Sequence, residues 1–284
     1  MDTKITFVGT GSAFTKYNFQ SNTIITVNNK NLLIDAGSDI RFSLDKLGMS
    51  YKNIDAVYIT HLHADHIGGL EYLAFCNYFD PSMKEKPQLI GNNELVRELW
   101  NSSLKGGLKS IQGKKTNLDD YFDVMMIKKN GKFIWEGIEF HIVQSIHIMD
   151  EYSIVPSFGL MIHVPVGEEI KKIYYTGDTQ FAPNQIMDFY KEANLIIHDC
   201  ETSPFKSGVH ANYLDLITLP SEIKAKMMLH HYQDNVISTD HKNSWIATAK
   251  EAGFTAWDKK NYGFIMCGST FDLNTWEIDN GPIF

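Results

Sequence analysis

Four side chains that commonly bind metal ions lie within six positions of the sequence, in the segment THLHADHIGG at residues 60–69. His61 and His63 are two positions apart, so in an extended segment or a tight loop both imidazoles can face one ion. Asp65 and His66 lie about one turn further on and can face a second ion. Imidazole and carboxylate groups suit zinc, and also manganese or iron. The segment therefore predicts a site for two divalent cations.

Two ions need more than four ligands, and the other candidates follow predicted strands. His147 follows IEFHIVQSI, Asp178 follows KKIYYTG, and the pair His230–His231 follows KAKMML. A single carboxylate can bridge two ions that are about 3.5–4 Å apart, and Asp178 is the natural residue for this role. A lone histidine is more often structural than a ligand. Because the chain also contains the cluster at residues 61–66, ligand roles are favoured for His147 and Asp178.

The elements around the cluster mix the two kinds of secondary structure. KITFVG predicts a strand, and NTIITVNNKNLLI predicts a hairpin that turns at its asparagines. Segment 67–79 has helical apolar spacing, and Gly68 and Gly69 should let this helix approach the ions closely. NNELVRELWNSSL predicts another helix with Asn93 as its N-cap, and KGGLKSIQGKK (105–115) is the best candidate for a mobile loop. This mixture predicts several α and β layers.

The bulk properties limit the possible partners. The chain has 284 residues and a net charge of −8, which argues against a general polyanion binder. Residues 84–132 carry ten Lys or Arg against six Asp or Glu. This local excess could steer a phosphate-bearing substrate, although a solvated loop and helix face is the more common explanation of such a segment. With no repeat, low-complexity tract or Pro-rich linker, we expect one domain over residues 1–284.

Neither the cysteines nor the N-terminal residues suggest an extracellular protein. The three cysteines (Cys76, Cys200 and Cys267) form no CxxC pair, so they predict neither a disulfide framework nor a thiolate zinc site. No apolar run reaches the roughly 20 residues needed to span a bilayer. The N-terminal residues lack the layout of a secretion signal. We therefore expect a cytoplasmic protein.

Several motifs together resemble the metallo-β-lactamase superfamily. HLHADH resembles its metal-binding signature, and GTGSA, NLLIDAG, TGDT and HDC resemble its other motifs in the same order along the chain. AKEAGFTAWDKKN (249–261) resembles the closing segment of RNase Z-like members. The resemblance implies a four-layer αββα sandwich, an α/β fold of the α+β kind, with a two-zinc site at one edge; manganese is the alternative metal.

The resemblance also implies a set of ligands. It assigns one ion to His61, His63, His147 and Asp178, and the other ion to Asp65, His66, Asp178 and His231. His231 is chosen over His230 because RNase Z-like members have a Thr-His pair here, in which the second residue is the ligand.

The segment LIIHDCETSPFKSGVHANY implies a proton-donating pair. RNase Z has an acidic residue after a strand-end histidine and a Gly-His stretch some residues later, and Asp199 and His210 occupy those places. A carboxylate that orients an imidazole can keep it protonated for delivery to a leaving alkoxide. This chain has GVHANY where RNase Z has Gly-His-Ser-Thr, so an ordinary loop histidine stays an alternative for His210.

The resemblance implies phosphodiester hydrolysis, with Asp65 orienting the attacking water. RNase Z cuts pre-tRNA and grips it with a projecting arm, for which 105–115 is too short, so small substrates are favoured. An RNase Z-like branch without the arm includes the phage anti-Pycsar enzymes, which hydrolyse cyclic mononucleotides and are homodimers. Segment 199–232 resembles that branch. Four aromatic residues, each more commonly a core or turn residue, could stack a base: Phe14, Tyr17, Tyr152 and Phe158.

Three functions from different classes remain open on the sequence alone. The leading hypothesis is a two-metal phosphodiesterase that opens 3′,5′-cyclic mononucleotides. The second is an RNase Z-like endonuclease that processes the 3′ end of tRNA. The third is another hydrolase of the same fold, or a metal-binding scaffold without catalysis. The intact Asp65 and His210 argue against the scaffold, because a protein without catalysis does not need them.

Overall fold

The structure, a computed structural model, describes residues 2–237, 242–254 and 260–281. Its strands, in chain order, are β1 (Thr3–Gly9), β2 (Asn22–Val27), β3 (Lys30–Ile34), β4 (Ala56–Tyr58), β5 (Gln88–Asn92), β6 (Ser110–Ile111), β7 (Lys114–Lys115), β8 (Asp123–Ile127), β9 (Lys132–Trp135), β10 (Ile138–Gln144), β11 (Met149–Asp150), β12 (Ser153–Ile154), β13 (Phe158–Val166), β14 (Glu169–Tyr175), β15 (Leu195–Asp199), β16 (Met227–His230), β17 (Thr270–Asp272) and β18 (Glu277–Asp279).

The helices are mostly short. They are α1 (Ile40–Lys46), α2 (Ala64–Ile67), α3 (Leu70–Phe79), α4 (Asn93–Glu98), α5 (Lys105–Leu108), α6 (Leu118–Tyr121), α7 (Pro183–Glu192), α8 (Tyr213–Leu216), α9 (Ser221–Lys224) and α10 (Lys242–Ala252). A π-helical stretch at Leu99–Leu104 joins α4 to α5, and 3₁₀ turns lie at Tyr51–Asn53 and Asp234–Val236.

Two large sheets form the centre of the fold. In the described residues the larger sheet has the order β18-β17-β1-β2-β3-β4-β5-β8, and the smaller has the order β16-β15-β14-β13-β10-β9. The run from β3 to β8 is parallel, and so is the run from β14 to β16. The carboxyl ends of parallel strands lie at one edge of a sheet, where ligand sites of such folds are built.

The smaller sheet is covered on both faces, because successive side chains of a strand point to opposite faces. On β13, Leu160 and Ile162 belong to the apolar core that also contains Ile5 and Ile25 of the larger sheet. Met161 between them belongs to a second apolar core on the opposite face. The first core therefore holds the two sheets together.

Helices form the outer layers. Leu44 of α1 and Leu70 of α3 join the first core, while Ile186 of α7 and Leu216 of α8 join the second core. The fold is thus the predicted αββα sandwich of the metallo-β-lactamase type, and that prediction is confirmed.

The hairpin turn follows the predicted chemistry. Asn28 and Asn29 link β2 to β3 with φ values of 48° and 68°. This left-handed region is one that asparagine adopts more readily than most residues.

Two local predictions differ from the structure. The N-cap of α4 is Asn92 and not Asn93, since the Asn92 side chain accepts a hydrogen bond from the backbone N–H of Glu94 at 2.9 Å. The segment 105–115, predicted as a mobile loop, instead forms α5 and then the β6–β7 hairpin. Residues 255–259 of the predicted RNase Z-like closing segment lie outside the described residues.

Among the described residues, no helix has both the length and the apolar character of a membrane span.

Gly159 offers a test of how tightly the smaller sheet is built. A Cβ atom at this position would collide with the carbonyl oxygen of Tyr175 and lie 2.5 Å from that of Thr176. We expect Gly159→Ala to lower the free energy of unfolding by about 1–3 kcal/mol, as overpacking does, measured by urea denaturation. In the control Gly106→Ala, the added methyl meets no atom within 4 Å, and helix propensity favours alanine. Equal stability of the two variants would contradict this account.

Candidate metal centre

The histidine cluster lies at the carboxyl end of β4, where the chain leaves the larger sheet. After Tyr58 the chain runs as a loop up to His63, which is the N-cap of α2 in extended geometry (φ −70°, ψ 151°). The loop presents His61 and His63, and the first turn of α2 presents Asp65 and His66. His61, Asp65 and His66 are buried, while His63 is exposed at the surface.

One group of side chains gathers around His61. His61, His63, His147 and Asp178 each offer a ligand atom, and all four atoms lie within 4.8 Å of one another. Nδ1 of His63 is 2.9 Å from Nε2 of His61 and 3.3 Å from Nε2 of His147. Oδ2 of Asp178 is 3.7 Å from Nε2 of His61 and 3.8 Å from Nε2 of His147.

A second group shares Asp178 with the first. Asp65, His66, Asp178 and His231 also bring ligand atoms within 4.8 Å of one another. Nε2 of His66 lies 3.2 Å from Oδ2 of Asp65 and 3.3 Å from Oδ2 of Asp178, and Nε2 of His231 lies 3.3 and 3.4 Å from the same two oxygens. The structure therefore brings together all seven residues proposed from the sequence as ligands, with Asp178 between the two groups.

The arrangement fits two divalent cations. In the described residues, neither carboxylate oxygen of Asp178 has a hydrogen bond of good geometry, and neither has Nε2 of His66, although all three atoms are buried. Buried polar atoms without partners are costly and rare in native proteins. Imidazole nitrogens and carboxylate oxygens that converge in this way are the donor set of zinc sites. We infer that metal ions are the missing partners.

The first ligand group has the protonation that metal binding needs, whereas in the second group burial is outweighed by Asp178, which raises the pKa of His66 and of His231, so an ion that binds there displaces protons. Burial opposes ionisation of Asp178, but His231, His66 and His61 outweigh it and hold its pKa well below the ordinary value. Burial lowers the pKa of His61, and also of His63 and His147, so these imidazoles are neutral at pH 7. A neutral imidazole is the form that binds a metal ion.

The backbone distinguishes His231 from its neighbour. The N–H of His231 donates to the carbonyl of Thr10 at 2.7 Å, and His231 has φ +63°, an uncommon left-handed conformation. This turn sends the His231 side chain to Asp65 and Asp178. The His230 ring lies instead beside Tyr175, with centroids 5.1 Å apart, and it belongs to neither ligand group. Burial lowers the pKa of His230 to about 3, so it is neutral.

Asp35 is a functional residue that the residue-type argument missed. It is fully buried and accepts hydrogen bonds from Nδ1 of His66 at 2.7 Å and from both the N–H and the hydroxyl of Thr60 at 2.8 Å. A carboxylate that binds the far nitrogen of a metal-binding histidine fixes its tautomer and orientation. The available signal was an aspartate at the end of the apolar strand LLID, where a charge needs buried partners.

The two glycines after the cluster have a packing role that differs from the predicted one. A Cβ atom on Gly69 would collide with Ile40 and lie 2.5 Å from the carbonyl oxygen of Gly37. A Cβ atom on Gly68 would collide with the Ser38 hydroxyl. The glycines therefore let the junction of α2 and α3 pack against the segment 36–40, next to Asp35. Gly68 and Gly69 therefore make room for this backbone packing, and not for the ions as was predicted.

His210 and Asp199 lie together beside the metal ligands. Nδ1 of His210 is 2.8 Å from Oδ2 of Asp199, an oxygen that also accepts the N–H of Thr179 at 2.9 Å. The His210 ring stacks on that of His231 with centroids 4.6 Å apart. Burial opposes protonation of His210, but Asp199 outweighs it and raises the pKa of the imidazole. The structure thus places His210 as the carboxylate-supported imidazole that the RNase Z resemblance implies.

The loop that carries His210 is held at two points. Glu201, which is buried, accepts the N–H of Ser207 at 3.0 Å and the side-chain amide of Asn212 at 3.4 Å. The carbonyl of Val209 accepts Nδ1–H of His147 at 2.8 Å, which leaves Nε2 of His147 for the metal group. Sequence reasoning missed Glu201, although its position two residues after Asp199 was the available signal.

Exposed aromatic side chains lie on three segments that neighbour site residues along the chain. Phe14, Tyr17 and Tyr152 are 91%, 71% and 96% exposed. The first two lie in the loop that follows Thr10, and Tyr152 is in the turn between β11 and β12, shortly after His147. Phe158 is only 2% exposed and belongs to the first core, so the prediction that it could stack a base is wrong. Phe205, 70% exposed in the loop before His210, was missed.

Comparison with known proteins decides the family. The sequence profile of the anti-Pycsar protein Apyc1 family matches residues 3–254. The chain belongs to the Apyc1 family. It is 37% identical over 247 residues to the anti-Pycsar protein Apyc1 of Bacillus phage vB_BsuM-Goe3, covering 82% of this chain and 90% of that protein. It is 34% identical over 241 residues to Apyc1 of Paenibacillus sp. (strain J14), covering 84% and 92%.

The fold of this Apyc1 family member is also found in solved structures. The metallo-β-lactamase fold protein YhfI from Bacillus subtilis superposes with a TM-score of 0.69 at 18% sequence identity, covering 96% of this chain and 100% of that one. The predicted resemblance to the superfamily, and to its anti-Pycsar branch, is confirmed.

The difference between His230 and His231 is directly testable. We expect His231→Ala to lose one of two bound ions, because it removes a member of the second group, while His230→Ala keeps both. Metal content per folded chain, measured by inductively coupled plasma mass spectrometry, checks this. Loss of an ion from His230→Ala alone would overturn the choice of His231.

Asp35→Asn tests the support of His66. We expect metal affinity to fall by about 10–100-fold, since outer partners of metal-binding histidines contribute on that order. The measurement is zinc affinity by competition with a chromophoric chelator. Asp55→Asn is a matched control, because Asp55 also accepts a backbone N–H, that of Asn31 at 2.8 Å, but lies outside the metal groups. Equal affinities of the two variants would show that Asp35 does not position His66.

Proposed function

We propose that this protein is a two-metal phosphodiesterase that hydrolyses 3′,5′-cyclic mononucleotides. The observation that carries the proposal is the His210–Asp199 pair, stacked against the second ligand group within 3.9 Å of Asp178. Hydrolysis of a β-lactam or a thioester has no obvious use for this pair. Cleavage of a P–O bond to a ribose oxygen does need a proton donor, because an unprotonated alkoxide is a poor leaving group. Membership of the anti-Pycsar family supports the same substrate class.

Seven side chains would hold the metal ions. The ligands are His61, His63, His147 and Asp178 for one ion and Asp65, His66, Asp178 and His231 for the other. Two divalent cations, zinc by this donor set with manganese as the alternative, would when bound lower the pKa of water and neutralise charge on phosphoryl oxygens.

Asp65 has the charge needed to orient the attacking water. Burial opposes its ionisation, but His66 and His231 outweigh it and hold its pKa far below neutrality. Asp65 is therefore a carboxylate at pH 7, with an oxygen that can accept a hydrogen bond from the water. A non-catalytic scaffold would not need this carboxylate together with the His210 pair.

His210 would protonate the leaving oxygen from Nε2. Its other nitrogen, Nδ1, is engaged with Asp199, so Nε2 is the atom left to face a substrate. Burial opposes protonation of this imidazole, but Asp199 outweighs it and raises the pKa, which favours the protonated form before the reaction. The N–H of Thr179 keeps Asp199 in place. Proton delivery from such a pair fits cleavage of a cyclic phosphodiester to a nucleoside monophosphate.

The surface around the site favours a small substrate. The segment between the cluster and His147 packs on the core through Leu99, Leu104 and Leu108, so it forms no projecting arm in the described residues. The exposed rings of Phe14, Tyr17 and Tyr152 offer flat apolar faces for one base. A tRNA-processing endonuclease would need a larger basic surface to bind the phosphates of tRNA than a chain of net charge −8 offers.

Homodimerisation is a further part of the proposal. Phe205 and Leu214, 70% and 62% exposed, flank His210 along the chain, and exposed apolar surface of this kind is typical of contact sites. A second copy of this chain would cover them.

A substrate panel tests the proposal. We expect the zinc- or manganese-loaded protein to convert 3′,5′-cyclic mononucleotides to monophosphates and to leave a 3′-extended pre-tRNA intact. We expect His210→Asn to lower kcat by about 10²–10⁴-fold, because a general acid contributes on that order, while both ions stay bound. Product analysis by liquid chromatography and metal content are the measurements.

The control is Asp55→Asn, which alters a carboxylate outside every metal group and should leave kcat and metal content unchanged. No turnover of any cyclic mononucleotide at micromolar enzyme would end the proposal. Unchanged activity after Asp65→Ala would favour a scaffold instead, and cleavage of the pre-tRNA would favour the endonuclease.

A further inference from the structure

A second cluster of histidine and carboxylate groups lies on the outer face of the smaller sheet. On β10, Ile138 and Phe140 point into the first core, so Glu139 and His141 point to the opposite face. On the neighbouring strand β13, His163 pairs directly with Glu139. Strand register therefore fixes the three polar side chains on one face.

The geometry of this cluster points to a metal ion. Oε1 of Glu139 is 2.6 Å from Nε2 of His141 and 3.6 Å from Nδ1 of His163, and the two imidazole rings have centroids 4.6 Å apart. One ligand atom from each side chain lies within 4.8 Å of the others. We propose that Glu139, His141 and His163 bind a third divalent cation, separate from the two of the main centre.

The donor set selects the class of ion. Two imidazoles and one carboxylate suit zinc, copper, nickel or cobalt, whereas magnesium and calcium prefer oxygen ligands. The side chains of Glu139, His141 and His163 are 29%, 37% and 21% exposed, so water can complete the coordination shell. The ion would thus bind at an open surface site with three protein ligands.

The local charges leave this site available. Burial, with His141 and Lys172, lowers the pKa of His163, which keeps this imidazole neutral and able to bind a metal. Lys132 binds the other carboxylate oxygen of Glu139, Oε2, at 2.6 Å, and leaves Oε1 directed to the histidines. Its ammonium group is the nearest competitor of a bound cation. For this reason, and with three ligands instead of four, the third ion should bind more weakly than the other two.

Binding at this site would tie together two central strands. β10 and β13 pair over six residues, and β10 ends at Gln144, three positions before the metal ligand His147. An ion that binds only the folded protein stabilises it by mass action. A third cation would therefore hold the strand that leads to the main centre.

Metal counting tests the proposal. The zinc-loaded protein, equilibrated with micromolar free zinc, should contain three ions per chain, and His141→Asn/His163→Asn should contain two. In the control Glu169→Gln, which removes a carboxylate paired with Lys171 on the same sheet, three ions should remain. Cobalt substitution gives a second readout, since the difference spectrum between wild type and the double variant isolates the third ion.

Lys132→Met gives a test that requires no loss of ligands. Removal of the competing ammonium should tighten the third site about tenfold, measured by zinc titration after the first two equivalents are bound. Saturation of the wild type at two ions, or a third ion that survives in the double variant, would overturn the proposal. An unchanged third affinity in Lys132→Met would do the same. The first two ions and the hydrolysis of cyclic nucleotides are measured separately, so either proposal can fail without the other.

Discussion

The structure depends on one buried carboxylate. Asp178 is 1% exposed, its two carboxylate oxygens have no hydrogen bond of good geometry in the described residues, and Oδ2 lies within 3.3–3.8 Å of ring nitrogens from four histidines. An isolated charge at such depth would be very unfavourable, and the converging imidazoles would repel one another if all were protonated. Two cations shared across Asp178 resolve both problems. The fold therefore has to bring four separate chain segments to one edge of the sandwich, those that carry residues 61–66, 147, 178 and 231.

The αββα architecture meets this demand through the ends of its strands. β4 delivers the histidine cluster, while β14, β15 and β16 end next to one another and deliver Asp178, Asp199 and His231. Two of the ligands also receive support from groups behind them, since Asp35 binds the far nitrogen of His66 and the Val209 carbonyl binds that of His147. The rigid strands set the positions, and the loops beyond them supply the groups that differ between functions. Membership of the Apyc1 family and the His210–Asp199 pair fit this division.

Much of the site could be predicted from the sequence, and the reason is local. HLHADH places four ligands within six residues, so their convergence needs only one loop and one helical turn. Strand-end positions for His147 and Asp178 follow from short apolar runs that are easy to recognise. Asp35 and Glu201 were missed because a supporting carboxylate has no spacing signature: each is defined by backbone N–H groups and side chains that only the folded chain brings near. The inward position of Phe158 was missed for the same reason, since either face of β13 was possible.

By itself, the sequence determined the chemistry of the centre, the strand-rich sandwich and the asparagine turn of the β2–β3 hairpin. Each of these depends on residue types and on the spacing of apolar residues over only a few positions. Only the tertiary structure decided which of two adjacent histidines is directed to the metal groups. His231 takes a left-handed backbone conformation after β16 and donates its N–H to Thr10, more than two hundred positions away, which turns its ring toward Asp178 and leaves His230 against Tyr175. The two adjacent side chains point in different directions because backbone contacts with distant residues set the direction of each one, and adjacency in the sequence does not encode those contacts.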